Sequence, residues 1–420
     1  MSIQNIDGLW TLTLDVYATV ALCAFIAFLS YRVFGKMKFI QKYCLPPIVV
    51  GGFAYSVVYS LLTATGIATI VTDQTLLDPL FIIFFTSVGF TTVINKKLIQ
   101  SAGKIFFILF IAEGIWLAVQ TFWALFVGGK VLGMPYPVAF LTGTITMAGG
   151  IPGGVAWGTK AQELGFTGAV GIGLACGAIG QLMGGFISAP FTRKFFIKKY
   201  NLRSTDDLME VAATNEVATT EEAPKKEWSL NRMMKQIAVF GIVVPVGLIL
   251  RDLFMEATGF FMLDFVCAMI LAIIIVNVDQ KVKVFEIDQE FMSKFGNIIL
   301  QLYIAMSFLT LNLADLKDLI GPALIVMAIQ AVSIMLYVTL LFRLMGKTYN
   351  AAMLLAGFMG HGLGNTTTAF ASLDTLQKEF GPCKLAFIIT PLIGACLIDI
   401  FGIPIESTGW NLALMFQGLA

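Results

Sequence analysis

The fold is decided by the stretch AGGIPGG at residues 148–154, which has a counterpart, MGHGLGN, at residues 359–365. Both lie inside apolar segments, near 136–162 and 350–376. In a helix interior a proline costs about 3 kcal/mol and each glycine about 1 kcal/mol relative to alanine. We therefore predict that neither segment forms an ordinary membrane-spanning helix, and that the run 149–158 in particular is not one continuous helix. Each segment is predicted to be a glycine-rich re-entrant or broken helix.

The composition places these breaks in a membrane protein. Of the 420 residues, 58% are hydrophobic and only 13% are charged, whereas a soluble domain has about 25% charged residues. The mean hydropathy is +0.86. We therefore predict an all-α polytopic membrane protein in contact with the lipid bilayer, with no nucleic-acid partner.

A helix needs about 20 apolar residues to cross the hydrocarbon core of a bilayer. Ten segments meet this need: 11–33, 45–66, 78–95, 105–129, 166–192, 234–256, 259–277, 295–314, 319–345 and 383–405. If both interrupted segments return to the side from which they enter, all 27 basic residues except Lys130, Lys160, Arg251 and Lys317 lie on one side. The positive-inside rule makes that side cytoplasmic, so both termini are predicted to lie outside.

The sequence divides into two halves, 1–192 and 233–420, joined by a charged cytoplasmic linker at 193–232. Ser87 aligns with Ser307, and 148–154 aligns with 359–365. Each half has five predicted spans, an odd number, so a cytoplasmic linker places the two copies upside down relative to each other. Inverted repeats with discontinuous helices at matching positions are typical of secondary transporters, which bind their solutes there.

The two breaks are the predicted binding site. Freed N–H groups can hold an anion, and freed carbonyl groups can bind a cation. The alternative is that the glycines only allow close helix packing. Hydroxyl and amide oxygens near the second break suit a hard cation such as Na⁺. The candidate residues for substrate or cation binding are Thr146, Gly149, Gly150, Gly153, Gly154, Gly360, His361, Gly362, Gly364, Asn365, Thr366, Thr367 and Asp399.

At these residues the sequence resembles the sodium/glutamate symporter family. The resemblance is carried by AAMLLAG at 351–357, by GHGLG at 360–364 with Thr368-Ala369, and by FGP at 380–382 and LIDI at 397–400. In the first half it rests on LPP at 45–47, Gly51-Gly52, Gly149-Gly150, Ala156-Trp157 and GFT at 165–167. It does not extend to the linker.

The resemblance implies a Na⁺-coupled symporter of the cytoplasmic membrane that imports a small anionic solute, glutamate or a related carboxylate. It also implies a homodimer that works by an elevator mechanism, with Na⁺ as coupling ion and no other cofactor. Asn365, Thr366 and Asp399 are the candidate Na⁺ ligands. The family pattern Ser-Gly-Gly-His-Gly-Thr-Gly is replaced by 148–154, so substrate specificity is expected to have diverged at the first break.

Other mechanisms predict different carriers. Coupling to H⁺ would use Glu113, which lies in the middle of a span, and His361, the only histidine. A passive channel would not require two matched breaks. An intramembrane enzyme is not expected, because one histidine cannot supply an H-E-x-x-H motif and no G-x-S-x-G motif lies in a span.

Overall fold

The computed structural model of the protein describes residues 1–6, 9–37, 40, 46–93, 96–204, 229–259 and 261–419. Most of the predicted linker, 205–228, lies outside these residues. In the first half the elements are β1 (Ser2–Ile6), β2 (Leu9–Leu14), α1 (Val16–Phe34), α2 (Pro47–Ala64), β3 (Ala68–Thr72), α3 (Leu77–Thr91), α4 (Lys96–Trp123), α5 (Tyr136–Phe140), α6 (Thr144–Met147), α7 (Gly150–Glu163) and α8 (Ala169–Thr192). Short π-helical segments extend α4 over Ala124–Val131 and α8 over Arg193–Lys198.

The second half follows the same order of long helices and an interrupted segment. Its helices are α9 (Leu230–Thr258), α10 (Val266–Val282), α11 (Gln289–Leu309), α12 (Ile320–Leu344), α13 (Tyr349–Leu363), α14 (Thr366–Phe380) and α15 (Lys384–Gln417). A 3₁₀ turn, Leu313–Leu316, follows α11. Several helices begin at a residue whose side chain accepts a hydrogen bond from a first-turn N–H, among them Asp15 before α1 and Thr348 before α13.

Seven helices among the described residues are long and apolar enough to cross a membrane: Val16–Phe34, Pro47–Ala64, Ile105–Val131, Ala169–Lys198, Leu230–Thr258, Gln289–Leu309 and Ile320–Leu344. The predicted spans 78–95, 259–277 and 383–405 correspond to α3, α10 and α15. The prediction of a largely helical polytopic membrane protein is thus confirmed.

A small sheet at the N-terminus differs from the all-α prediction. β2 pairs antiparallel with β1 and parallel with β3, with Leu12 opposite both Ile3 and Ile70. The predicted span 11–33 therefore begins too early, since helix α1 starts only at Val16. From Trp10 to Leu14 apolar residues alternate with threonines, a pattern of period two that favours a strand.

The described helices form two compact units, and each unit draws on both halves of the sequence. The first comprises Met1–Ile40, Pro46–Ile94 and Glu227–Lys317, and therefore holds α1 to α3 and α9 to α11. Its core includes Phe90, whose ring centroid lies 5.2 Å from that of Phe240. Close helix contact is marked by Ser56, whose Oγ donates to the Phe308 carbonyl at 3.0 Å.

The second unit comprises Gln41–Leu45, Asn95–Lys226 and Asp318–Ala420. It therefore holds both interrupted segments together with the long helices α4, α8, α12 and α15. All the candidate binding residues lie in this unit.

Candidate functional site

The first interrupted segment is a helical hairpin, with α5 and α6 as one arm and α7 as the other. The ring centroids of Phe140 and Trp157 lie 5.4 Å apart, although about 25 Å would separate these residues along a straight helix. Near the tip, a Cβ on Gly154 would lie 2.9 Å from Cγ2 of Thr146. The chain therefore reverses at Ala148-Gly149, between α6 and α7.

The second interrupted segment is a hairpin of α13 and α14. Its open end is closed by Tyr349, whose hydroxyl donates to the Gly381 carbonyl, and by Cys383, whose Sγ lies 3.4 Å from Oδ1 of Asn350. Near the tip, a Cβ on Gly360 would lie 2.8 Å from Cα of Ala369. The chain reverses at Gly364-Asn365, where α13 ends and α14 begins.

The breaks are shorter than the glycine runs that predicted them. The prediction that 149–158 is not one continuous helix is wrong, because α7 runs unbroken from Gly150 to Glu163. Pro152 lies in the first turn of α7, where a missing N–H removes no helical hydrogen bond. Likewise Gly360 and Gly362 lie within α13, and only Gly364 lies at the break.

Close packing against α8 explains two of these glycines, Gly154 and Gly360. Gly173, Gly177, Gly180 and Gly184 of α8 are spaced four, three and four residues apart, so they share one face of the helix. A Cβ on Gly173 would overlap the Gly154 carbonyl of the first hairpin, and a Cβ on Gly184 would lie 3.0 Å from the Gly360 carbonyl of the second. The packing role that the sequence left open therefore applies to Gly154 and Gly360.

The two tips come together on this face of α8. A Cβ on Gly180 would lie 2.8 Å from the Leu363 carbonyl oxygen and 3.6 Å from Cα of Met147. These two residues end the helices that lead into the two tips. The structure therefore brings the two breaks, far apart in sequence, to one place.

Two buried glutamines hold the hairpins from outside. Gln120 of α4 donates from Nε2 to the Gly362 carbonyl at 2.7 Å, and that carbonyl also accepts from Nε1 of Trp116 at 3.2 Å. Gln330 of α12 donates from Nε2 to the Thr142 carbonyl at 2.7 Å. Each glutamine thus binds the hairpin of the opposite half.

The sequence reasoning missed both glutamines. The alignment of 148–154 with 359–365 puts Gln120 within one position of Gln330, so the repeat contained a signal for them. Both side chains are fully buried, and the Oε1 atom of each has no hydrogen-bond partner among the described residues.

At the first tip the candidate residues are mostly main chain. Thr146 is buried, and its hydroxyl donates to the Leu141 carbonyl at 2.8 Å and the Gly143 carbonyl at 3.2 Å, so it fixes the arm of the hairpin. Gly149 precedes α7, and Gly150 has a φ of +69°, which favours glycine. Gly149, Pro152 and Gly153 are partly exposed, in contrast to the other residues of 144–158, which are buried.

At the second tip the polar side chains remain. Oδ1 of Asn365 accepts from the Thr368 N–H at 3.0 Å and from the Thr368 hydroxyl at 3.1 Å, which caps α14. Thr366 is half-buried and Thr367 is exposed. His361 is buried, and its Nδ1 has no hydrogen-bond partner among the described residues.

Two carboxylates were predicted to take part in ion coupling, Asp399 as a Na⁺ ligand and Glu113 as an H⁺ carrier. Asp399 lies on α15, but its side chain is outside the described part of the chain. Glu113 lies on α4, fully buried, and neither of its carboxyl oxygens has a hydrogen-bond partner among the described residues. Nothing places Glu113 at the hairpin tips.

The electrostatics at the tips come from helix ends. The first turns of α7 and α14 contain no charged residue, and the first N–H groups of a helix have no partner within it. Both N-termini can therefore accept a carboxylate or another anion through main-chain donors. Among the described residues, no group of three His, Cys, Asp or Glu side chains could hold a metal ion.

Long apolar helices and two matched hairpins that meet in one compact unit define the class as secondary membrane transporters, in which discontinuous helices at corresponding positions form the site. The family model "Sodium/glutamate symporter" matches residues 12–382. The sodium/glutamate symporter of Escherichia coli (strain K12) is 30% identical over 392 residues, 92% of this chain and 95% of that protein. That of Haemophilus influenzae is 28% identical over 393 residues, with the same coverage of both chains.

The chain therefore belongs to the sodium/glutamate symporter family. The resemblance seen in the sequence is confirmed, and the protein is a transporter and not an enzyme. Members of this family use Na⁺ as the coupling ion, with no enzymatic cofactor.

Proposed function

We propose that this protein couples the entry of Na⁺ to the import of glutamate or a closely related small carboxylate. The observation that carries the proposal is the meeting of two hairpin tips on one face of α8, each tip followed by a helix N-terminus without a charged residue. The relatives named as sodium/glutamate symporters, which match along nearly the whole chain, support the choice of ion and substrate.

The substrate is an anion held by main-chain groups. A dicarboxylate has two negative ends, and the N-termini of α7 and α14 are two separate groups of N–H donors. Gly149, Gly150, Gly153 and Gly154 give the first tip its shape, since no polar side chain lies between Ala148 and Gly154. Specificity among carboxylates is therefore set at the first tip by backbone shape.

The cation binds at the second tip, where oxygen atoms of Asn365 and Thr366 lie, and we propose Asp399 of α15 as a further ligand. The Asn365 side-chain oxygen already accepts two hydrogen bonds from Thr368. For this oxygen to bind Na⁺, its hydrogen bond from the Thr368 hydroxyl group must break and the ion must take that place. Binding of Na⁺ would thereby change the start of α14, and this is our physical route for coupling the ion to the substrate.

The transport cycle we propose is of the elevator type. It is supported by the division into two compact units, one of which contains both hairpins and all the candidate binding residues. We further propose that the halves 1–192 and 233–420 are inverted repeats joined by a cytoplasmic linker, 193–232. In this arrangement the hairpins are re-entrant, both termini lie outside the cytoplasmic membrane, and the protein is a homodimer.

H⁺ coupling is the second candidate, and one observation favours it. Glu113 is a fully buried carboxyl group whose oxygens have no hydrogen-bond partner among the described residues, and carboxyl groups within membrane spans often carry protons. This route would use Glu113, with His361 near the second tip as a further carrier.

Uptake into proteoliposomes separates these mechanisms. Radiolabelled glutamate is supplied with an inward Na⁺ gradient at equal pH, with an inward K⁺ gradient, or with an inward H⁺ gradient without Na⁺. We expect accumulation above equilibrium only with Na⁺. Accumulation with the H⁺ gradient alone would show that H⁺, and not Na⁺, is the coupling ion. Single-channel conductance in a planar bilayer would identify a passive channel.

The substrate is tested by thermal unfolding of the purified protein with a series of anionic amino acids and dicarboxylates, in Na⁺ or in K⁺. We expect glutamate or a near relative to raise the unfolding temperature in Na⁺ only. Equal shifts in K⁺ would contradict Na⁺-coupled binding.

A further inference from the structure

A deep apolar groove runs along the second unit between the end of α4 and the second part of α15. It has a volume of about 740 Å³ and is lined mainly by apolar side chains. Phe122, Phe126 and Phe416 line it and remain exposed at 54%, 40% and 54%. In a membrane protein such a surface faces the acyl chains of lipids without penalty.

The groove has a positive charge at one end. Lys130 lines it, is exposed, and makes no ion pair among the described residues. It is the second-last residue of the apolar span Ile105–Val131. A lysine at the end of a span extends its ammonium group to the membrane interface, the level at which lipid phosphates lie.

The length of the groove fits one leaflet. Ala118, near its apolar end, and Lys130, at its charged end, are twelve residues apart on one helix, a rise of about 18 Å. Half of the hydrocarbon core is about 15 Å thick. An acyl chain that starts at the interface beside Lys130 would therefore reach Ala118.

We propose that this groove is a binding site for an anionic phospholipid, with one acyl chain lying along Phe122 and Phe126 and the phosphate at the Lys130 ammonium group. The charge at the interfacial end selects this occupant over a second copy of the chain. The Lys130 ammonium group lies 5.9 Å from the Phe126 ring centroid, and an apolar protein surface would leave it without an anionic partner. The site is separate from the hairpin tips.

Native mass spectrometry of the full-length protein in detergent tests the proposal, with phosphatidylglycerol or phosphatidylcholine of identical acyl chains added in turn. One lysine near a membrane surface contributes about a fivefold preference for an anionic lipid, so phosphatidylglycerol should bind about fivefold more tightly. The Lys130→Gln variant should bind both lipids equally. Lys317→Gln, which removes an exposed lysine outside the groove, should keep the preference.

A second variant tests the acyl-chain part of the site without removing charge. Thr408 is exposed and lines the groove, so Thr408→Trp should fill it from the surface and weaken binding of both lipids. Equal binding of the two lipids to the unaltered protein, loss of preference in Lys317→Gln, or unchanged lipid binding in Thr408→Trp would each overturn the proposal. If Lys130→Gln instead changes the number of subunits in the assembly, the groove is a contact between copies of the chain.

Discussion

The two hairpins lie on the same face of α8 but end in tips built from different groups. The first tip, Ala148-Gly149, has no side-chain cap, and a Cβ on Gly149 would lie 2.6 Å from the Ile145 carbonyl oxygen. The second tip has room for Asn365, which caps α14. At Gly149 the first tip therefore excludes a side chain by its own packing, whereas the second tip uses the side chain of Asn365.

The same difference extends to the helices that support the hairpins. The Gly362 carbonyl of the second hairpin accepts from two side chains, Trp116 and Gln120. The Thr142 carbonyl of the first hairpin accepts from Gln330, its single donor among the described hydrogen bonds. At these two carbonyls the first hairpin thus has one side-chain donor, whereas the second has two donors that can substitute for one another.

The largest expected effect is a difference in stability between variants at the two places where the hairpins pack against α8. In Gly173→Ala the new methyl group meets the Gly154 backbone carbonyl, which cannot move alone, and we expect a loss of about 3 kcal/mol in the free energy of unfolding. In Gly184→Ala the nearest atoms are a methyl group of Thr368 at 2.8 Å and the Gly360 carbonyl oxygen at 3.0 Å. This overlap is milder than at Gly173, so we expect about 1 kcal/mol. Denaturant titration in detergent measures both. Gly321→Ala, which adds its methyl group to open space in α12, is the control.

A similar or larger loss in Gly184→Ala than in Gly173→Ala would contradict the view that the first hairpin is the more tightly packed. A loss in Gly321→Ala as large as in Gly173→Ala would show that the assay responds to any added methyl group in these helices.

The glutamine supports should also differ. Gln330→Leu leaves the buried Thr142 carbonyl without a described donor, and an unsatisfied buried group costs about 1–3 kcal/mol. Gln120→Leu leaves Trp116 on the Gly362 carbonyl, so only the net value of one hydrogen bond, about 1 kcal/mol, is lost. Denaturant titration and the KM for uptake should both change more in Gln330→Leu. The double variant Gln120→Leu/Trp116→Phe removes both donors, and its loss of stability should reach that of Gln330→Leu. If the double variant lost no more stability than Gln120→Leu alone, Trp116 would not replace Gln120 as the donor to the Gly362 carbonyl.

Hydropathy predicted the spans well because the bilayer requires long apolar helices, whatever their partners. It did not predict where the breaks lie. Gly154, Gly360 and Gly362 are read as helix breakers when only local propensity is considered, but contacts with α4, α8 and α12 favour them. Those neighbours are distant in sequence, so a local pattern cannot identify them.

The candidate site was predicted in part. Asn365 and its threonines do lie at a chain reversal, as the polar residues after the second glycine run indicated. The repeat places Gln120 within one position of Gln330, but the role of each depends on a carbonyl of the other half, which the sequence of a single span does not show. The strand Leu9–Leu14 was missed because its apolar residues merged with the following span.

A smaller effect tests the backbone of the first tip. Gly150 has a φ of +69°, and its nearest atom for an added Cβ is Cδ of Pro152 at 3.8 Å. Gly150→Ala therefore introduces backbone strain without a clash, and we expect about 1–2 kcal/mol of destabilisation. Gly150→Asn should lose less, because asparagine adopts this conformation more readily. Equal losses from both substitutions in a denaturant titration would mean that space and not conformation restricts the position.

The smallest expected change in stability concerns the cap of the second tip and bears on transport. Asn365→Ala removes the acceptor for the Thr368 N–H, which should cost about 1 kcal/mol of stability, and it should raise the Na⁺ concentration needed for half-maximal uptake. Asn365→Asp keeps the cap but adds a negative charge at the start of α14, so stability should be retained while the KM for the anionic substrate rises. If Asn365 only stabilises the hairpin, Asn365→Asp would restore both Na⁺ dependence and KM to those of the unaltered protein. A raised KM at retained stability would instead assign the second tip a direct part in binding the anion, in contrast to the first tip, where only backbone groups are present.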